Sequence, residues 1–392
     1  MRIVHVIDYY QPKMGYQETF LALEHQKLGH EVHVVTSDRY HPRPQYAMTW
    51  QPVLGPRLQG AGVFDDAGIT IHRLEPAFEF ATRIWLKKLE HTLLRLVPAL
   101  IIVHGMGSFT AVRVARLAPK LGAGAKLVFD SHASDANSRH PLRHLFYAFF
   151  RLALAPLFVR SASAIVGVEN ERMDFLARRY GIPEEAMVMI PVGASPDRFY
   201  RDPQSRDQLR AEWGYGEQDV VLTYVGKIER RKAVDVLLRA GLQIGRRKPN
   251  VRLVIIGSGD TDYIQEMKQH VELAGGLSNV NWLGTVPNDQ LFRYYSASDI
   301  SVWPMMISVG TLEAMACGLP LVVADVPILR DRVSHGNGLT YRPGNVHDLV
   351  SKLEDLIADP ERRRKMGEGG RALIERELNW KAIAQRFIEV AN

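Results

Sequence analysis

The sequence is nearly free of cysteine and of long apolar runs. Cys317 is the single cysteine in 392 residues, which excludes an internal disulfide and a zinc cluster built from cysteine ligands. No uninterrupted apolar run reaches the length of about 20 residues that a membrane span needs, and Met1 leads directly into the strand-like "RIVHVIDYY". We therefore expect a soluble, cytoplasmic protein, with peripheral attachment to the inner face of the membrane as a further option.

Charge of neither sign dominates the chain. It carries 49 Lys and Arg against 43 Asp and Glu, a net charge of +6. This excess suits phosphorylated ligands or an anionic membrane surface, and it is too small to indicate nucleic acid binding. Asp260 and Asp262 have the spacing of a metal motif, but we prefer a surface turn with Asp260 as a helix cap. The sequence predicts neither a metal nor a bound cofactor.

Short runs rich in valine and isoleucine alternate with stretches of helical period in both halves of the chain. The N-terminal runs are "IVHVIDY", "EVHVVTS", "ITIHRLE", "ALIIVHG", "KLVFDSH", "AIVGVE" and "MVMIPV". After a polar stretch at 200–219 the series restarts with "VVLTYVG", "VRLVIIG", "NVNWLG", "DISVWP" and "PLVVAD". This alternation predicts the α/β class with parallel sheets and crossover helices. We expect two doubly wound domains, 1–198 and 199–375, facing each other across a cleft.

Two loops of the second half carry candidate ligand-binding residues. In "VGKIERRKAVDVLL" a strand ends at Gly226, and four cations follow it: Lys227, Arg230, Arg231 and Lys232. Cations at a helix N-terminus oppose the helix dipole, so the cluster indicates a bound anion, with a solvated basic face as the alternative. In "IIGSGD", Gly257 and Gly259 would let the backbone approach a ligand closely.

Two further loops complete this set. "LGTVPNDQL" is another strand exit, with Asn288 as the expected helix cap. In "PMMISVGTLEAMACGLPLVVAD" a turn at 307–311 precedes a helix whose free N–H groups suit a diphosphate. Glu313 lies near the start of that helix, where its carboxylate could accept two hydrogen bonds from a ribose diol. The alternative is an ordinary first-turn glutamate that the helix dipole favours.

Several motifs together resemble a known family along nearly the whole chain. They are "GHEVHVVTS", "IPVGASPDRF", "GK…RRKAVDVLLRA", "GTLEAMACGLPLV" and "GLTYRPGNVHDLVSKLEDLIADPERRRKMGEGGR". The set resembles the retaining nucleotide-sugar glycosyltransferases of family 4, the group 1 glycosyltransferases, which have the GT-B fold of two Rossmann-like domains. The resemblance also implies a C-terminal helix, 376–392, that crosses back to the N-terminal domain.

The resemblance assigns roles to residues of the second domain. Glu313 matches the family glutamate that binds the nucleotide ribose, whereas Met305 replaces a glutamate that contacts the donor sugar. Lys227 takes the place of a diphosphate-binding arginine, Lys232 matches a lysine, and Asp331 falls near a family glutamate. The backbone of Gly284 and Val286 is expected to hold the base. The remaining donor-binding positions are Gly226, Gly257, Ser308, Val309, Gly310 and Thr311.

In the first domain the family carries a Gly-Gly-x-Glu loop after the first strand. Here the loop reads "KMGYQE", so Gly15 is kept for the donor phosphate, Tyr16 replaces the second glycine, and Glu18 holds the acidic position. His132 matches an active-site histidine that touches donor sugar or acceptor, with a structural strand-end histidine as the alternative. Asp135 is a further candidate.

The implied reaction moves a hexose from a nucleotide-sugar, with UDP-glucose as the first choice, and keeps its anomeric configuration. Lys227 and Lys232 would stabilise the leaving diphosphate electrostatically, and no metal is needed. The expected acceptor is a glycan or lipid-linked glycan of surface polysaccharide biosynthesis. The alternative is an inactive nucleotide-sugar-binding relative, because Met305 and Tyr16 both depart from the family pattern.

One stretch bears on the acceptor. "SRHPLRHLFYAFFRLALAPLFVR", residues 138–160, combines arginines with aromatic side chains, and the separate stretch "TRIWLKKLEHTLLRL" adds Lys87 and Lys88. Such a face can lie on an anionic membrane, where lipid-linked acceptors are found. The alternative is that these helices pack in the core while their arginine side chains extend to the solvent, which explains the same sequence.

Overall fold

The computed structural model describes residues 1–43, 46–80, 82–122, 124–133, 142–276 and 279–391. The chain forms two compact units. The first comprises Met1–Val192 and Trp380–Asn392, and the second Gly193–Asn379. These bounds lie a few residues from the predicted 198 and 376.

In the part of the first unit that the structure describes, eight strands form one sheet. The strands in chain order are β1 (Arg2–Val6), β2 (Glu31–Ser37), β3 (Gly62–Asp66), β4 (Ile69–Leu74), β5 (Pro76–Phe80), β6 (Arg83–Leu86), β7 (Leu100–His104), β8 (Lys126–Ser131), β9 (Ala164–Gly167) and β10 (Met187–Met189). The sheet order is β10-β9-β8-β7-β1-β2-β4-β3, and β5 and β6 form a separate antiparallel pair. Only β3 runs antiparallel in the large sheet as described.

Helices connect these strands. They are α1 (Gln17–Lys27), α2 (Tyr46–Thr49), α3 (Gln51–Leu54), α4 (Leu89–Leu96), α5 (Phe109–Leu117), α6 (Arg143–Phe149), α7 (Ala155–Ser161) and α8 (Asn170–Phe175). A π-helical turn at Phe150–Leu154 joins α6 to α7, so 143–161 is continuously helical. Alternating strands and helices are what the two hydrophobic periods of the sequence predict.

The second unit repeats the design. Its strands are β11 (Val220–Val225), β12 (Val251–Ile256), β13 (Val280–Gly284), β14 (Ile300–Trp303), β15 (Leu321–Ala324) and β16 (Gly338–Tyr341). Within the described residues they form one parallel sheet of order β13-β12-β11-β14-β15-β16. Every residue of β11 is buried, as expected for a central strand covered on both faces.

The helices of the second unit are α9 (Pro203–Glu212), α10 (Val234–Gly245), α11 (Thr261–Leu273), α12 (Leu291–Ala297), α13 (Gly310–Ala316), α14 (Pro327–Val333), α15 (Val346–Ala358) and α16 (Pro360–Arg376). The last helix, α17 (Trp380–Glu389), belongs to the first unit. There Trp380 stacks on Phe20 of α1 with ring centroids 5.2 Å apart. The sequence motif that predicts a C-terminal helix therefore forms one, packed on α1.

Both sheets reverse their strand order at one point. In the second unit the chain runs from β11 outward to β13 and then returns to place β14 on the other side of β11. In the first unit the same reversal lies between β1 and β7. Open α/β sheets bind ligands beyond the carboxyl ends of the strands at such a reversal. The loops after β11 and β14, and those after β1 and β7, are therefore the places to look for a site.

The predicted α/β class with doubly wound parallel sheets is confirmed, and each valine-rich run forms a strand. The sequence analysis missed β3, β5, β6 and β16. β3 is exposed at every position and pairs only at the sheet edge, so it lacks the apolar pattern that marks a buried strand.

Among the helices that the structure describes, none combines the length and hydropathy that crossing a bilayer requires.

Candidate active site

The candidate residues of the second unit lie on loops at the carboxyl edge of its sheet. We call 226–232, after β11, the lysine loop, and 304–309, after β14, the methionine loop. Lys232 is buried, and its Nζ donates a hydrogen bond to the carbonyl oxygen of Ile307 at 3.0 Å. This bond joins the two loops across the point where the strand order reverses. Burial, together with the charges of Arg231 and Lys227, lowers the pKa of Lys232 to about 8.

The predicted cluster of four cations is only partly realised. Arg230 forms an ion pair with Glu266, and Arg231 forms one with Glu229. Lys227 is exposed, and its carbonyl oxygen accepts a hydrogen bond of 2.7 Å from the Tyr224 hydroxyl, which holds the loop. The arginines thus have carboxylate partners, so Lys227 and Lys232 are the cations that the loop can offer to an anion.

The glycines of "IIGSGD" serve a close approach between two protein loops. A Cβ atom on Gly257 would lie 1.9 Å from the carbonyl oxygen of Gly226, and one on Gly259 would lie 2.1 Å from that of Ile228. The amide of Ile228 donates to Ser258 at 3.1 Å. The sequence interpretation, that these glycines admit a ligand, therefore needs correction: the space is taken by the lysine loop. Gly226 and Gly257 therefore pack against each other and support the lysine loop.

Glu313 is a buried carboxylate on α13. Its Oε1 accepts a hydrogen bond of 2.8 Å from Nδ2 of Asn288. Burial raises the pKa of Glu313 to about 7, although the Asn288 amide and the charge of Arg198 oppose the rise. The Tyr295 hydroxyl is a second neighbouring donor that opposes the rise. A carboxylate offers about four acceptor positions, so capacity is left for further donors, such as a pair of hydroxyl groups.

Asn288 does not cap a helix, contrary to the prediction. It begins a short 3₁₀ turn, Asn288–Gln290, and α12 follows from Leu291 without a side-chain cap. Its side chain turns to Glu313 instead, and among the described residues its buried Oδ1 has no hydrogen-bond partner. The sequence analysis missed this contact because the two residues are 25 positions apart and on different loops.

The methionine loop is held at three points. Besides the bond from Lys232, the Tyr341 hydroxyl donates to the carbonyl oxygen of Pro304 at 2.6 Å, and Trp303 Nε1 donates to Ser308 Oγ at 3.0 Å. Met305 is half-buried in this loop. A loop tied at both ends and in the middle presents its backbone in one geometry, as ligand binding through N–H groups requires.

The remaining predicted donor residues continue from this loop. Thr311 Oγ1 donates to the carbonyl oxygen of Ser308 at 2.8 Å, and Val309 is 37% exposed next to buried Gly310. Gly284 and Val286 lie on the exit of β13, where Gly284 is exposed and has a positive φ of 64°. Asp331 is exposed on α14.

The first unit carries the other predicted residues. Gly15 has a φ of 68° and ends a short 3₁₀ turn, Pro12–Met14, so its left-handed backbone explains the glycine. Tyr16, at the start of α1, is half-buried, and burial raises its pKa. Burial also raises the pKa of Glu18 to about 7, opposed by the charge of His104. Asp135 lies outside the described residues.

His132 lines a cavity of about 540 Å³ at the ends of β7 and β8. The wall combines two arginines with aromatic rings and backbone of both strand exits. Its lining residues are Arg83, Gly105, Met106, Gly107, Ser131, His132, Ala133, Leu142, Arg143, Phe146, Tyr147, Phe175 and Tyr180. Cations beside aromatic faces suit a ligand that has both an anionic group and a ring or chain to pack.

Asp260 is the N-cap of α11, as predicted, and its Oδ1 accepts from the Tyr263 amide at 3.1 Å. In the part of the chain that the structure describes, no group of three or more His, Cys, Asp or Glu side chains is arranged to hold a metal ion.

Two protein-family models match the chain. The model described as "Glycosyltransferase Family 4" matches residues 19–198, and the one described as "Glycosyl transferases group 1" matches residues 205–373. Between them they cover both units and include the lysine loop, the methionine loop and Glu313. The chain therefore belongs to the family 4, group 1 glycosyltransferases.

Curated relatives agree with this assignment. A GDP-mannose-dependent alpha-(1-6)-phosphatidylinositol monomannoside mannosyltransferase of Mycolicibacterium smegmatis is 28% identical over 240 residues, 58% of this chain and 62% of the relative. A D-inositol 3-phosphate glycosyltransferase of Rhodococcus opacus is 32% identical over 240 residues, 59% of this chain and 53% of the relative. The matches thus span less than two thirds of these relatives' lengths.

The fold is shared with solved structures of the GT-B type. Anabaena HepE, crystallised with UDP, superposes with a TM-score of 0.73 and 17% identity over 99% of each chain. The predicted GT-B fold of two Rossmann-like domains is therefore confirmed.

Proposed function

We propose that the protein transfers a hexose from a nucleoside-diphosphate sugar to an acceptor hydroxyl, with retention of the anomeric configuration. The observation that carries this proposal is the joined pair of loops at the strand-order reversal of the second unit, with buried Lys232 on one loop and buried Glu313 just beyond the other. Glu313 accepts hydrogen bonds from the ribose diol, and Lys232, aided by exposed Lys227, stabilises the charge that develops on the departing diphosphate.

The donor is a nucleotide-sugar whose base packs against the β13 exit at Gly284 and Val286. UDP-glucose is the first choice from the sequence, and the GDP-mannose dependence in the name of the Mycolicibacterium relative supports testing GDP-mannose beside it. A role in surface polysaccharide biosynthesis stays a prediction.

A catalytically inactive nucleotide-sugar-binding protein is the second candidate. Met305 favours it, because a thioether cannot accept the strong hydrogen bonds that a carboxylate would make to sugar hydroxyls. Against it, the buried ammonium of Lys232 and the buried carboxyl of Glu313 are costly to keep in a fold that no longer uses them.

A donor panel tests the proposal. UDP-, GDP- and ADP-linked glucose and mannose are compared by thermal shift and by slow hydrolysis in the absence of acceptor. We expect one nucleotide class to raise the melting temperature and one sugar to be released, with the released anomer identified by NMR. Stabilisation without any sugar release or transfer would favour the inactive candidate, and no stabilisation by any nucleotide would overturn the proposal.

The acceptor, by this proposal, enters the cavity of the first unit beside His132. Arg83 and Arg143 line it together with Phe146, Tyr147 and Tyr180. This lining supports an acceptor that has an anionic group next to a polyol or sugar ring, as in a phosphate-linked glycan lipid. The names of the two curated relatives, which refer to phosphatidylinositol monomannoside and inositol 3-phosphate, are consistent with this class.

In the helical segment 143–161, and at Leu142 just before it, the large apolar and aromatic side chains lie on two faces. Tyr147, Phe150 and Phe158 are buried and pack in the core, as one sequence interpretation expects. The opposite face exposes large apolar side chains at helical spacing. They are Leu142, Leu145, Phe149 and Leu152, with exposures of 58%, 67%, 56% and 80%. Residues 138–141 of the stretch lie outside the described residues.

This exposed face supports docking on an anionic membrane. Arg151 and Arg160 are also exposed on the same helical segment, so apolar side chains and positive charge occur together. A bilayer accepts both, because apolar side chains enter the interface and arginines bind anionic headgroups. We propose that the protein binds the membrane through this face, which would bring lipid-linked acceptors to a cavity that Leu142 and Arg143 also line.

Replacing Leu145 and Leu152 with glutamate is expected to weaken binding to anionic vesicles at least tenfold, since each buried leucine contributes about 1.5–3 kcal/mol. Vesicle sedimentation with phosphatidylglycerol at low salt measures this. Leu273→Glu is the matched control, because Leu273 is 89% exposed in the second unit. Equal binding by the double variant and the control would contradict docking through this face.

A further inference from the structure

A chain of hydrogen bonds links three buried histidines in the first unit. His25 on α1 bonds through Nε2 to the carbonyl oxygen of Ala384 on α17 at 3.0 Å, and its Nδ1 lies 3.1 Å from Nε2 of His5 on β1. Nδ1 of His5 lies 3.0 Å from Nε2 of His104 on β7. Nδ1 of His104 then meets Oδ2 of Asp130 on β8 at 2.6 Å. The chain thus runs from the C-terminal helix to the end of a central strand.

Both ends of this chain accept hydrogen bonds. A carbonyl oxygen cannot donate, so His25 must present a proton on Nε2, and an ionised Asp130 requires a proton on Nδ1 of His104. Four hydrogen bonds in series need one proton each. Three neutral imidazoles carry one ring proton each, so the chain holds one proton more than three neutral histidines and an ionised carboxylate supply.

The surroundings keep that extra proton near Asp130. The Asp130 carboxylate also accepts from Nε2 of Gln17 at 3.1 Å and from the Gly105 amide at 3.3 Å, which favours its ionised form. Burial alone would lower the pKa of His104, but the Asp130 charge outweighs it and raises that pKa. Burial likewise would raise the pKa of Asp130, and the His104 charge holds it below its usual range.

The surroundings of the other two histidines favour their neutral forms. Burial, and then the charges of His25 and His104, lower the pKa of His5, and burial lowers that of His25 to about 4. The ionisable groups that face the chain from neighbouring elements are Glu18, which acts on His104 and Asp130, His30, which acts on His25, and His132, which acts on Asp130.

The Asp130 end of the chain touches the cavity of the proposed acceptor site. Gly105, whose amide donates to Asp130, lines the cavity, and so do Ser131 and His132, the next two residues after Asp130. His104 and Asp130 are also direct partners in the register of β7 and β8. The bond between His104 and Asp130 therefore joins the two strand ends that lead into this wall.

We propose that His5, His25, His104 and Asp130 are positioning residues that hold one shared proton, couple the docking of α17 to the wall of the cavity beside His132, and set the pH range over which the wall keeps its shape. The link to activity rests on the proposed transferase function. The hydrogen-bonded series of histidines does not rest on that function, because its proton count follows from the hydrogen bonds alone.

The pH dependence has two limbs of opposite sign. Because the pKa of His104 is raised, its stabilisation is fully present below the unfolded value of about 6.5 and is lost as pH rises through the folded value. Because the pKa values of His5 and His25 are lowered, their contribution is present above about 6.5 and is lost as pH falls toward about 4. A second ring proton on His5 or on His25 would also place two N–H groups opposite each other, at about 3 Å between the nitrogen atoms.

The proton count is tested by NMR of the full chain with ¹⁵N-labelled histidine. We expect His104 to show both ring nitrogens protonated at neutral pH, and His5 and His25 to show the neutral tautomer with the proton on Nε2. Signals are assigned with His5→Gln, His25→Gln and His104→Gln. A neutral His104 at pH 6, or a cationic His5 or His25 at that pH, would overturn the proposal.

The coupling is tested with Asp130→Asn, which keeps the shape of the side chain and removes the charge that retains the proton. We expect the alkaline limb of kcat/KM to move at least one pH unit lower and amide exchange in α17 to quicken at pH 8. His33→Gln is the control, because it breaks the separate contact of His33 Nδ1 with His72 Nε2 at 3.1 Å.

The outcomes separate the two proposals. If wild type shows the predicted ring protonation but transfers no sugar from any donor, the transferase function fails and the shared proton stands, with α17 exchange as the remaining readout of coupling. If Asp130→Asn and His33→Gln have the same pH profile and the same α17 exchange, the positioning role is wrong. If Asp130→Asn does not fold, His104→Gln takes its place, since glutamine can donate to Asp130 but holds no titrating proton.

Discussion

Replacing Glu313 with glutamine is expected to weaken nucleotide binding about a hundredfold. A hydrogen bond to a charged acceptor contributes about 1.5–3 kcal/mol and one to a neutral acceptor about 0.5–1.5 kcal/mol, so the loss of charge costs roughly 1–1.5 kcal/mol for each of two ribose hydroxyls. Glutamine keeps the size of the side chain, so the buried contact with Asn288 can persist. Isothermal titration with the nucleotide that the donor panel selects measures the change. Glu368→Gln is the control, because Glu368 is an exposed carboxylate of the same unit whose partner, Arg364, lies on the same helix, α16.

The same residue predicts two pH effects of opposite direction. Because burial raises the pKa of Glu313 to about 7, the folded state binds a proton that the unfolded state releases above about 4.5, so this residue's contribution makes wild type less stable as pH rises from 4.5 to 7. Ribose hydroxyls donate to the charged form, so nucleotide affinity should rise over the same range up to about pH 7. Glu313→Gln should lack both trends, and retention of the affinity trend in this variant would contradict the ribose role.

Replacing Lys232 with methionine is expected to lower kcat about 10²- to 10³-fold, the usual cost of removing one group that stabilises developing charge. The stem of the side chain is kept, while the ammonium and its bond to Ile307 are lost. Because that bond also holds the methionine loop, nucleotide affinity should fall as well. Steady-state kinetics and titration of the same protein separate the two effects.

Arg239→Met is the matched control for Lys232. Arg239 is an exposed cation on α10 that pairs with Asp235 on the same helix, outside the two loops. Its replacement should leave kcat within about threefold, as expected for a surface ion pair. A loss of activity equal to that of the lysine variant would indicate a general effect of charge on the unit and would remove Lys232 from the proposed mechanism.

The positions of the loops that carry the proposed donor site were largely predictable, because these loops follow strand ends in short motifs. Lys232 and Ile307 are 75 positions apart in the sequence. Each lies in a loop that follows a strand, and parallel strands bring their carboxyl ends to one edge of the sheet. The roles of the glycines were less predictable. Gly257 has the sequence of a ligand-contacting turn, but a neighbouring backbone fills the space.

A second set of contacts that the sequence analysis missed is made by single polar residues within apolar patterns. His5 in "RIVHV" and His104 in "LIIVH" look like ordinary strand residues, and nothing local pairs them with each other or with Asp130. Alternation of polar and apolar positions reports which residues are in strands. It carries no information on which strands are neighbours, and that order decides which buried groups meet.

The amino-acid sequence by itself determined the two doubly wound units, the positions of most strands and the family, because hydrophobic period and local motifs are properties of neighbouring residues. Only the tertiary structure decided that two of the four cations have carboxylate partners, that Asn288 contacts Glu313 instead of capping a helix, and that three buried histidines form one chain of hydrogen bonds that ends at Asp130. The contact of Asn288 with Glu313 and the chain from the histidines to Asp130 join side chains far apart in the sequence, whose charges and hydrogen bonds must be satisfied together once burial removes the water that would otherwise solvate them. The two ion pairs lie at the surface, and they depend on the turn of the lysine loop and on its position beside α11.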